Sequence, residues 1–355
     1  MEEKIYITFT PYHVFLASML ALKNKNAKNI LIIIGDFDAT CIFQSLKSED
    51  IFNDCIMLPG LYRTDKNRNT LRKRNAKWII QFLSKYQKIS QIYLGTDTRN
   101  EAQAAAYKVK KLNQSAVIAV LEDGGDFYNS CDAGYVPKSY WHQMYSKLSF
   151  GRWYEDVKIA GLYTATEEIH MIYPQLARVE LRTKKRFAIE GNFGFKSPYQ
   201  KFLSRYWQGF GEEKQKIARA DGLIIIAHSG FTNQFSEYAE LIQQISNKAR
   251  EKGKNIVVKY HPREEKGDYC NLKSLGNIEF LPAQIPAEFI YMMKSNLKFV
   301  VGDISSALMT AKWLLKEQIC VYSVAPVLKV QDKCLLDVFQ SVGIHLVNQT
   351  VDIEL

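Results

Sequence analysis

Short apolar runs alternate along this chain with stretches of helical character. The runs Ile30 to Ile34, Ala116 to Leu121 and Gly222 to Ala227 are continuous in small or branched apolar residues, as expected for strands that are buried on both faces. Such strands occur in parallel sheets that are covered by helices. The pattern therefore predicts an α/β architecture built from βαβ units.

The alternation of strand and helix is long enough for two domains. The chain has 355 residues, of which 47% are hydrophobic, and the pattern begins again near Gly222 after an aromatic-rich middle with little periodicity. We therefore predict two Rossmann-like, doubly wound domains that face a central cleft. The first spans 1–195, a linker spans 196–218, and the second spans 219–355.

Three short polar motifs follow apolar runs of this kind. They are Glu122-Asp123-Gly124, Lys259-Tyr260-His261-Pro262-Arg263 and Ser305-Ser306. Each lies where a predicted strand ends, and open α/β sheets bind ligands at the carboxyl ends of their strands. A carboxylate accepts a proton from a hydroxyl, a histidine neutralises a leaving phosphate, and adjacent hydroxyls bind phosphate oxygens. The motifs therefore predict group transfer from a nucleotide-activated donor.

The formal net charge of +10 has several interpretations. Much of it lies in one stretch, which contains Arg63, Lys66, Arg68, Arg72, Lys73, Arg74 and Lys77. Such a cluster is commonly a solvated face, but it also suits an acidic glycan acceptor or the anionic headgroups at the inner face of a membrane. Nucleic acid is not predicted as a partner, because no RRM, KH, zinc-finger or helix-turn-helix pattern accompanies the charge.

Two simpler observations bear on location and on metal binding. No apolar stretch approaches the roughly 20 residues that span a bilayer, and the chain begins with a strand-like run that lacks the features of a signal peptide. We therefore expect a cytoplasmic protein with at most peripheral contact with the inner membrane. The six cysteines are scattered without a CxxC motif, so no metal site is predicted.

The ordered motifs resemble those of bacterial sialyltransferases. Glu122-Asp123-Gly124 is similar to their D/E-D/E-G motif, His261-Pro262 to their HP motif and Ser305-Ser306 to their serine motif. Pro286-Ala287-Glu288 looks like the P-x-E element between the last two, and Thr10-Pro11-Tyr12-His13 resembles the first loop of the lipooligosaccharide sialyltransferase and capsular polysialyltransferase families. Each motif is short, and it is their combination and order that make the resemblance specific.

The resemblance implies a two-domain GT-B enzyme that transfers sialic acid from CMP-sialic acid with inversion and without a metal ion or cofactor. It places the acceptor side on the N-terminal domain and the CMP donor on the C-terminal domain, and it implies a surface glycan such as capsule or lipooligosaccharide as acceptor. The donor sugar stays open, because pseudaminic and legionaminic acids are also carried on CMP and would use the same motifs.

Within the first motif, the resemblance makes Glu122 the general base. Successive side chains of a strand lie on opposite faces, so only one of Glu122 and Asp123 should enter the cleft, and we expect it to be Glu122. Asp123 remains the alternative base; otherwise it anchors the turn or caps the next helix. His261 is expected to neutralise the charge that develops on the leaving phosphate.

The remaining predicted site residues bind substrates. Those assigned to the donor are Lys259, Pro262, Arg263, Glu288, Ser305 and Ser306, with Glu288 accepting from the cytosine amino group and the serines contacting the phosphate. Those assigned to the acceptor are Thr10, Pro11, His13, Arg68, Arg72, Lys73 and Arg74.

Three alternatives remain at this point. A CDP-glycerol-type glycerophosphotransferase also uses histidine and a cytidine nucleotide, and a non-catalytic protein that binds anionic polysaccharide would need only the basic stretch. The sequence Asp36-Phe37-Asp38 after an early strand is the pattern with which metal-dependent GT-A transferases bind a nucleotide-associated cation, although no GT-A layout accompanies it.

Overall fold

The computed structural model describes residues 1–62, 67–128, 138–265, 267–276, 278–293 and 296–354, apart from the side chain of His142. The chain divides into two compact units, Met1–Tyr206 and Trp207–Leu355. The division falls within the predicted linker segment 196–218. Three residues named above lie outside the described residues: Arg63 and Lys66 of the basic stretch, and Cys131 of the cysteines.

The first unit is built on parallel strands connected by helices. Its strands are β1 (Glu3–Thr8), β2 (Lys28–Gly35), β3 (Asp54–Pro59), β4 (Ile89–Leu94), β5 (Val117–Leu121), β6 (Glu168–Met171) and β7 (Lys185–Ala188). Its helices are α1 (Pro11–Lys23), α2 (Thr40–Lys47), α3 (Arg68–Leu83), α4 (Asn100–Leu112), α5 (Tyr140–Phe150) and α6 (Ser197–Tyr206). The strands form one seven-stranded sheet in the order β3-β2-β1-β4-β5-β6-β7, and all adjacent strands are parallel.

The second unit repeats this architecture. Its strands are β8 (Gly222–Ile226), β9 (Ile256–Tyr260), β10 (Ile278–Leu281), β11 (Phe299–Gly302), β12 (Cys320–Ser323) and β13 (His345–Leu346). Its helices are α7 (Gly211–Arg219), α8 (Ser229–Thr232), α9 (Tyr238–Glu251), α10 (Ala287–Tyr291), α11 (Ser306–Leu315) and α12 (Lys333–Ser341). The sheet is parallel with the order β10-β9-β8-β11-β12-β13.

Both sheets have the doubly wound strand order. Strands are first added on one side of the first strand and then on its other side, and we call the place where this changes the reversal point. The reversal lies between β1 and β4 in the first sheet and between β8 and β11 in the second. Ligands of such sheets bind outside the carboxyl ends of the strands at this reversal point. The three predicted motifs follow β5, β9 and β11, as the sequence indicated.

The central strands are buried because helices cover both faces of each sheet. Residues Ile30 to Ile34 of β2 and all five residues of β8 are buried, which explains why these segments are continuously apolar rather than alternating. Among the described residues, no helix is both long and apolar enough to cross a bilayer.

Candidate active site

Glu122 follows β5 and is only 1% exposed. Its carboxylate accepts hydrogen bonds from the hydroxyls of Tyr12 and Tyr128, each at 2.5 Å, and from the backbone amide of Ile172 at 2.7 Å. Burial raises the pKa of Glu122 to about 7, although these three hydrogen bonds favour the ionised form. A carboxyl group with a pKa near neutrality is suited to accept and release a proton at physiological pH.

Asp123 has the opposite environment, because its side chain is 41% exposed. Its Oδ1 lies 3.1 Å from Nε2 of His13, whose side chain is 1% exposed. The two motif carboxylates therefore lie in different environments, Glu122 buried and Asp123 exposed, and the choice of Glu122 as the one that enters the cleft stays a prediction. Asp123 is the N-cap residue of a 3-10 turn at Gly124–Phe127, and its side chain makes no capping hydrogen bond there.

The first loop supplies partners to both carboxylates. Thr10 caps α1 by accepting from the backbone N–H of His13 at 3.1 Å, and Pro11 occupies the first turn, where its missing N–H costs nothing. This cap fixes the start of α1, where Tyr12 donates to Glu122 and Nε2 of His13 lies within ion-pair distance of Asp123. The assignment of Thr10, Pro11 and His13 to the acceptor stays a prediction.

Gly95, the residue after β4, makes room for the His13 ring. A Cβ atom at this position would lie 2.5 Å from Nδ1 of His13, well inside van der Waals contact. Tyr12, Tyr128 and Gly95 were not among the predicted site residues. Tyr12 lay within the first loop that the resemblance singled out, whereas nothing in the sequence marked Tyr128 or Gly95.

The predicted acceptor cations do not share one environment. Arg68, Lys73 and Arg74 on α3 are exposed, whereas Arg72 is half-buried. The Lys73 ammonium lies 5.4 Å from the centre of the Phe150 ring. Burial, followed by the nearby charge of Arg99, lowers the pKa of Arg72. Their acceptor role stays a prediction.

Arg99, which the sequence reasoning missed, joins this group. It precedes α4, and its guanidinium lies 2.8 Å from Oδ2 of Asp36 and 5.6 Å from the centre of the Phe9 ring. The other oxygen of Asp36 accepts from the backbone amide of Leu61 at 2.8 Å. Asp36 therefore orients Arg99 and the turn after β3. In the described ranges, no group of three or more His, Cys, Asp or Glu side chains could hold a metal ion.

His261 follows β9 in the second unit and is half-buried. Its Nδ1 accepts from the backbone amide of Arg263 at 3.1 Å, which leaves the ring proton on Nε2. Burial, reinforced by the positive charges of Lys259 and Arg263, lowers the pKa of His261 to about 4. The imidazole is therefore neutral at pH 7 and presents an N–H donor. Pro262 and Arg263 are exposed beside it.

Lys259 and Glu288 form a buried pair of opposite charges, 4% and 7% exposed respectively. Burial lowers the pKa of Lys259 to about 8, while the charge of Glu288 opposes that shift. Burial also raises the pKa of Glu288, and Lys259 opposes it. The Lys259 ammonium donates to the carbonyl of Ala283 at 3.0 Å, so the lysine ties the end of β9 to the loop before α10. Glu288, the residue predicted to bind cytosine, lies in the first turn of α10 directly after this loop.

Ser305 lies between β11 and α11, Ser306 is the first residue of α11, and both are half-buried. Ser305 caps α11 by accepting from the backbone amide of Ala307 at 3.3 Å. Before them, buried Asp303 accepts from the hydroxyl of Tyr238 at 2.7 Å and from the amide of Ala227 at 3.2 Å. Asp303 therefore links the end of β11 to the end of β8. The contact of the serines with a donor phosphate stays a prediction.

Comparison of the sequence with protein-family models gives one match over most of its length. The model of the alpha-2,8-polysialyltransferase (POLYST) family matches residues 4–324, a span that contains all of the predicted motifs. A search of curated protein sequences finds no match.

Solved structures with sialyltransferase and epimerase activities have a similar fold. A sialyltransferase GT-B domain from Photobacterium damselae has a TM-score of 0.55 at 13% identity, with 98% of each chain covered. The 2,6-sialyltransferase of Photobacterium sp. JT-ISH-224, solved with CMP and lactose, has a TM-score of 0.59 at 13% identity, covering 97% of this chain and 78% of the other. UDP-GlcNAc 2-epimerase from Methanocaldococcus jannaschii has a TM-score of 0.59 at 14% identity, covering 98% and 90%. At these identities the likeness shows the fold, which is the predicted two-domain α/β GT-B fold.

Proposed function

Because this chain belongs to the alpha-2,8-polysialyltransferase family, it is a sialyltransferase, and we propose that it uses a CMP-activated donor, inverts the anomeric centre and needs no metal ion. The transferred sugar is sialic acid or a related nonulosonic acid. The observation that carries the mechanism is the buried Glu122 carboxyl, whose pKa of about 7 matches the requirement for a general base at neutral pH. The CMP donor is supported by the Photobacterium sp. JT-ISH-224 enzyme, whose structure contains CMP as donor product.

In the proposed reaction, an acceptor hydroxyl attacks the anomeric carbon of the donor sugar. The new bond forms between that oxygen and the anomeric carbon, the bond from the anomeric carbon to the phosphate oxygen breaks, and its electron pair leaves with CMP. Glu122 takes the hydroxyl proton. Tyr12 donates to Glu122 at 2.5 Å and is half-buried rather than buried, so its hydroxyl is proposed to relay the proton to the carboxylate.

A second assignment of the base rests on a different observation. Asp123 is 41% exposed and paired with His13, so an acceptor hydroxyl reaches its carboxylate without any rearrangement. We keep Glu122 as the proposed base because burial raises its pKa to about 7, and we use the two amide variants to decide between them.

His261 is proposed to stabilise the departing phosphate as a neutral hydrogen-bond donor. Its Nε2–H is the only ring proton while Nδ1 accepts from Arg263, so the interaction is a charge-assisted hydrogen bond to the phosphate oxygen rather than an ion pair. Ser305, Ser306 and Arg263 are proposed to add contacts to the same phosphate, and Lys259 and Glu288 to recognise the cytosine base.

The proposed acceptor is an acidic surface glycan such as capsule or lipooligosaccharide. Arg68 and Arg72 are one helical turn apart on α3, and the charges of both Arg68 and Arg99 act on Arg72, opposed in part by the carboxylates of Glu101 and Asp36. A cavity of about 400 Å³ adjoins the start of α3 and is lined in part by Asp38, Met57 and Leu71. These features support an anionic acceptor in the first unit.

We also propose a cytoplasmic location with peripheral contact with the inner membrane. The support is the apolar side of α5, where Tyr140, Trp141, Tyr145 and Leu148 are between 63% and 83% exposed. Lys147 lies on α5 as well, and the Lys73 ammonium of α3 lies 5.4 Å from the ring centre of Phe150, the last residue of α5. Exposed aromatic and apolar side chains beside lysines suit the interface of an anionic bilayer.

The decisive experiment is donor hydrolysis by the purified full chain. Release of CMP from CMP-sialic acid is expected, in the presence of excess EDTA and without added metal. Release of CMP from CDP-glycerol but not from CMP-sialic acid would instead identify a glycerophosphotransferase, and release from neither would identify a binding protein. Loss of hydrolysis in EDTA with rescue by Mg²⁺ or Mn²⁺ would contradict metal independence.

A further inference from the structure

His228 lies at the reversal point of the second sheet. It follows β8, and β8 lies between β9, which precedes His261, and β11, which precedes Ser305 and Ser306. Ile226 at the end of β8 pairs with Tyr260 at the end of β9, so the two histidines leave the sheet at nearly the same level. The ligands of doubly wound sheets bind at this position.

The two histidine rings form an adjacent pair. Their centres are 5.7 Å apart and their planes cross at 85°. The backbone amide of Gly230 donates to Nδ1 of His228 at 2.9 Å, just as the amide of Arg263 donates to Nδ1 of His261 at 3.1 Å. A backbone N–H can only donate, so both Nδ1 atoms must present a lone pair. Both rings therefore carry their proton on Nε2.

Both Nε2–H groups are available to a ligand. Across the part of the chain that the structure describes, neither Nε2 has a hydrogen-bond or ion-pair partner, whereas each Nδ1 has one. This tautomer also determines the kind of ligand. A metal ion would need the Nε2 lone pair and a donating Nδ1–H, the opposite of what is present. Two N–H donors side by side fit an anion.

The loop that carries His228 is fixed on both sides. Glu264, three residues after His261, accepts from the backbone amide of Ser229 at 2.7 Å and from its hydroxyl at 3.2 Å. On the other side, Asp303 accepts from the amide of Ala227 at 3.2 Å. The loop is therefore tied both to the segment of His261 and to the segment of Ser305. Such fixed donors need little reorganisation when an anion binds.

We propose that His228 is a second hydrogen-bond donor to the phosphate of the CMP-activated donor, acting beside His261 at the carboxyl ends of the adjacent strands β8 and β9. This rests on the proposed use of a CMP donor. With two N–H groups on the phosphate, charge that builds up as CMP leaves is shared between both imidazoles. Neither ring has to transfer its proton for this to happen.

The test compares the binding of CMP and cytidine to the full chain by calorimetry. The wild type should bind CMP more tightly than cytidine. His228→Ala should weaken CMP binding about 10- to 100-fold, the range for a hydrogen bond to a charged group, and leave cytidine binding unchanged. His228→Gln, which retains an N–H donor, should recover part of the loss. His345→Ala, which removes an exposed histidine of the same unit, is the matched control and should bind like the wild type.

The outcomes separate this inference from the function on which it rests. If His228→Ala weakens CMP and cytidine equally, or weakens neither, the phosphate role of His228 is wrong while the CMP donor stands. If the wild type binds neither ligand, the CMP donor itself is wrong and the inference fails with it. Should the alanine variant not fold, ¹⁵N NMR of the wild type decides: CMP, but not cytidine, must shift the Nε2–H signals of two histidines whose Nδ1 atoms are unprotonated.

Discussion

Nε2 of His13 lies 3.1 Å from Oδ1 of Asp123, and this contact joins the first loop of the chain to a carboxylate 110 residues later. The residues just before them also join the two segments, because the Tyr12 hydroxyl donates to Glu122. Two consecutive residues of the loop thus position two consecutive carboxylates, one buried and one exposed. The first question to test is which of these two carboxylates takes the proton of the acceptor hydroxyl.

Replacing Glu122 by Gln keeps the shape of the side chain and removes its capacity to take a proton. We expect kcat to fall by about two to four orders of magnitude, the contribution of a positioned general base, with CMP binding retained. Asp123→Asn should have a smaller effect on kcat. The reverse ranking in steady-state assays would make Asp123 the base and leave Glu122 as the residue that orients it.

The pH dependence of kcat should report the raised pKa of Glu122. The base must be ionised to act, and burial raises its pKa to about 7, so kcat should fall as the pH drops below about 7. In Asp123→Asn this limb should remain but move slightly to lower pH, because the negative charge of Asp123 contributes to the raised pKa of Glu122. A wild-type profile that stays flat between pH 6 and 8 would mean that a group other than Glu122 takes the proton.

His261→Ala should nearly abolish transfer in a folded protein. Removing a donor that stabilises the leaving group costs on the order of 3 kcal/mol or more in the barrier, which is a loss of more than a hundredfold in kcat. Because the imidazole is neutral at pH 7, His261→Gln should retain more activity than the alanine variant. Near-wild-type turnover in His261→Ala, with an unchanged melting temperature, would falsify the leaving-group role.

Gly95→Ala tests whether the position of His13 matters. The added methyl group would lie 2.5 Å from the ring, so His13 must move away from Asp123 or the backbone must shift. We expect a loss of about 1–3 kcal/mol in the free energy of unfolding, as for other overpacked sites, together with lower kcat. The matched control is Gly209→Ala, whose Cβ would meet no atom within 4 Å. Equal melting temperatures and activities for the two variants would contradict this role for Gly95.

The sequence predicted the strands and the residues at their ends better than it predicted side-chain partners. Long apolar runs identified β2, β5 and β8, because parallel strands buried on both faces need no other signal. The sequence did not predict β3, β6, β7, β10 and β13; of these, β6 and β7 have only four residues each, and β7 is largely exposed, with the sequence Lys-Arg-Phe-Ala. Four residues are too few for periodicity to distinguish a strand from a loop.

The sequence did not predict which side chains contact one another within the site, because these contacts depend on tertiary structure. The contacts of Glu122 with Tyr12 and of Asp36 with Arg99 depend on which strands are neighbours in the sheet, and that order is a tertiary property. His228 followed a predicted strand as His261 does, but it belonged to no recognised motif. The inward orientation of Glu122 likewise depends on where the chain leaves the pleat of β5, which a strand pattern leaves undetermined within a residue.

The last prediction is that Arg68 and Arg72 determine acceptor affinity rather than chemistry. The double variant Arg68→Gln/Arg72→Gln should raise the KM for an acidic glycan roughly 3- to 30-fold, since each solvent-accessible contact contributes about 1 kcal/mol or less. The KM for the donor should stay unchanged, and the dependence of activity on salt should weaken. Lys25→Gln/Lys111→Gln removes two exposed lysines of the same unit and is the control for net charge.

If both double variants raise the acceptor KM equally, general electrostatic attraction explains the effect. If the arginine variant keeps its kinetics on soluble acceptors but no longer binds anionic vesicles, these arginines contact the membrane and not the glycan.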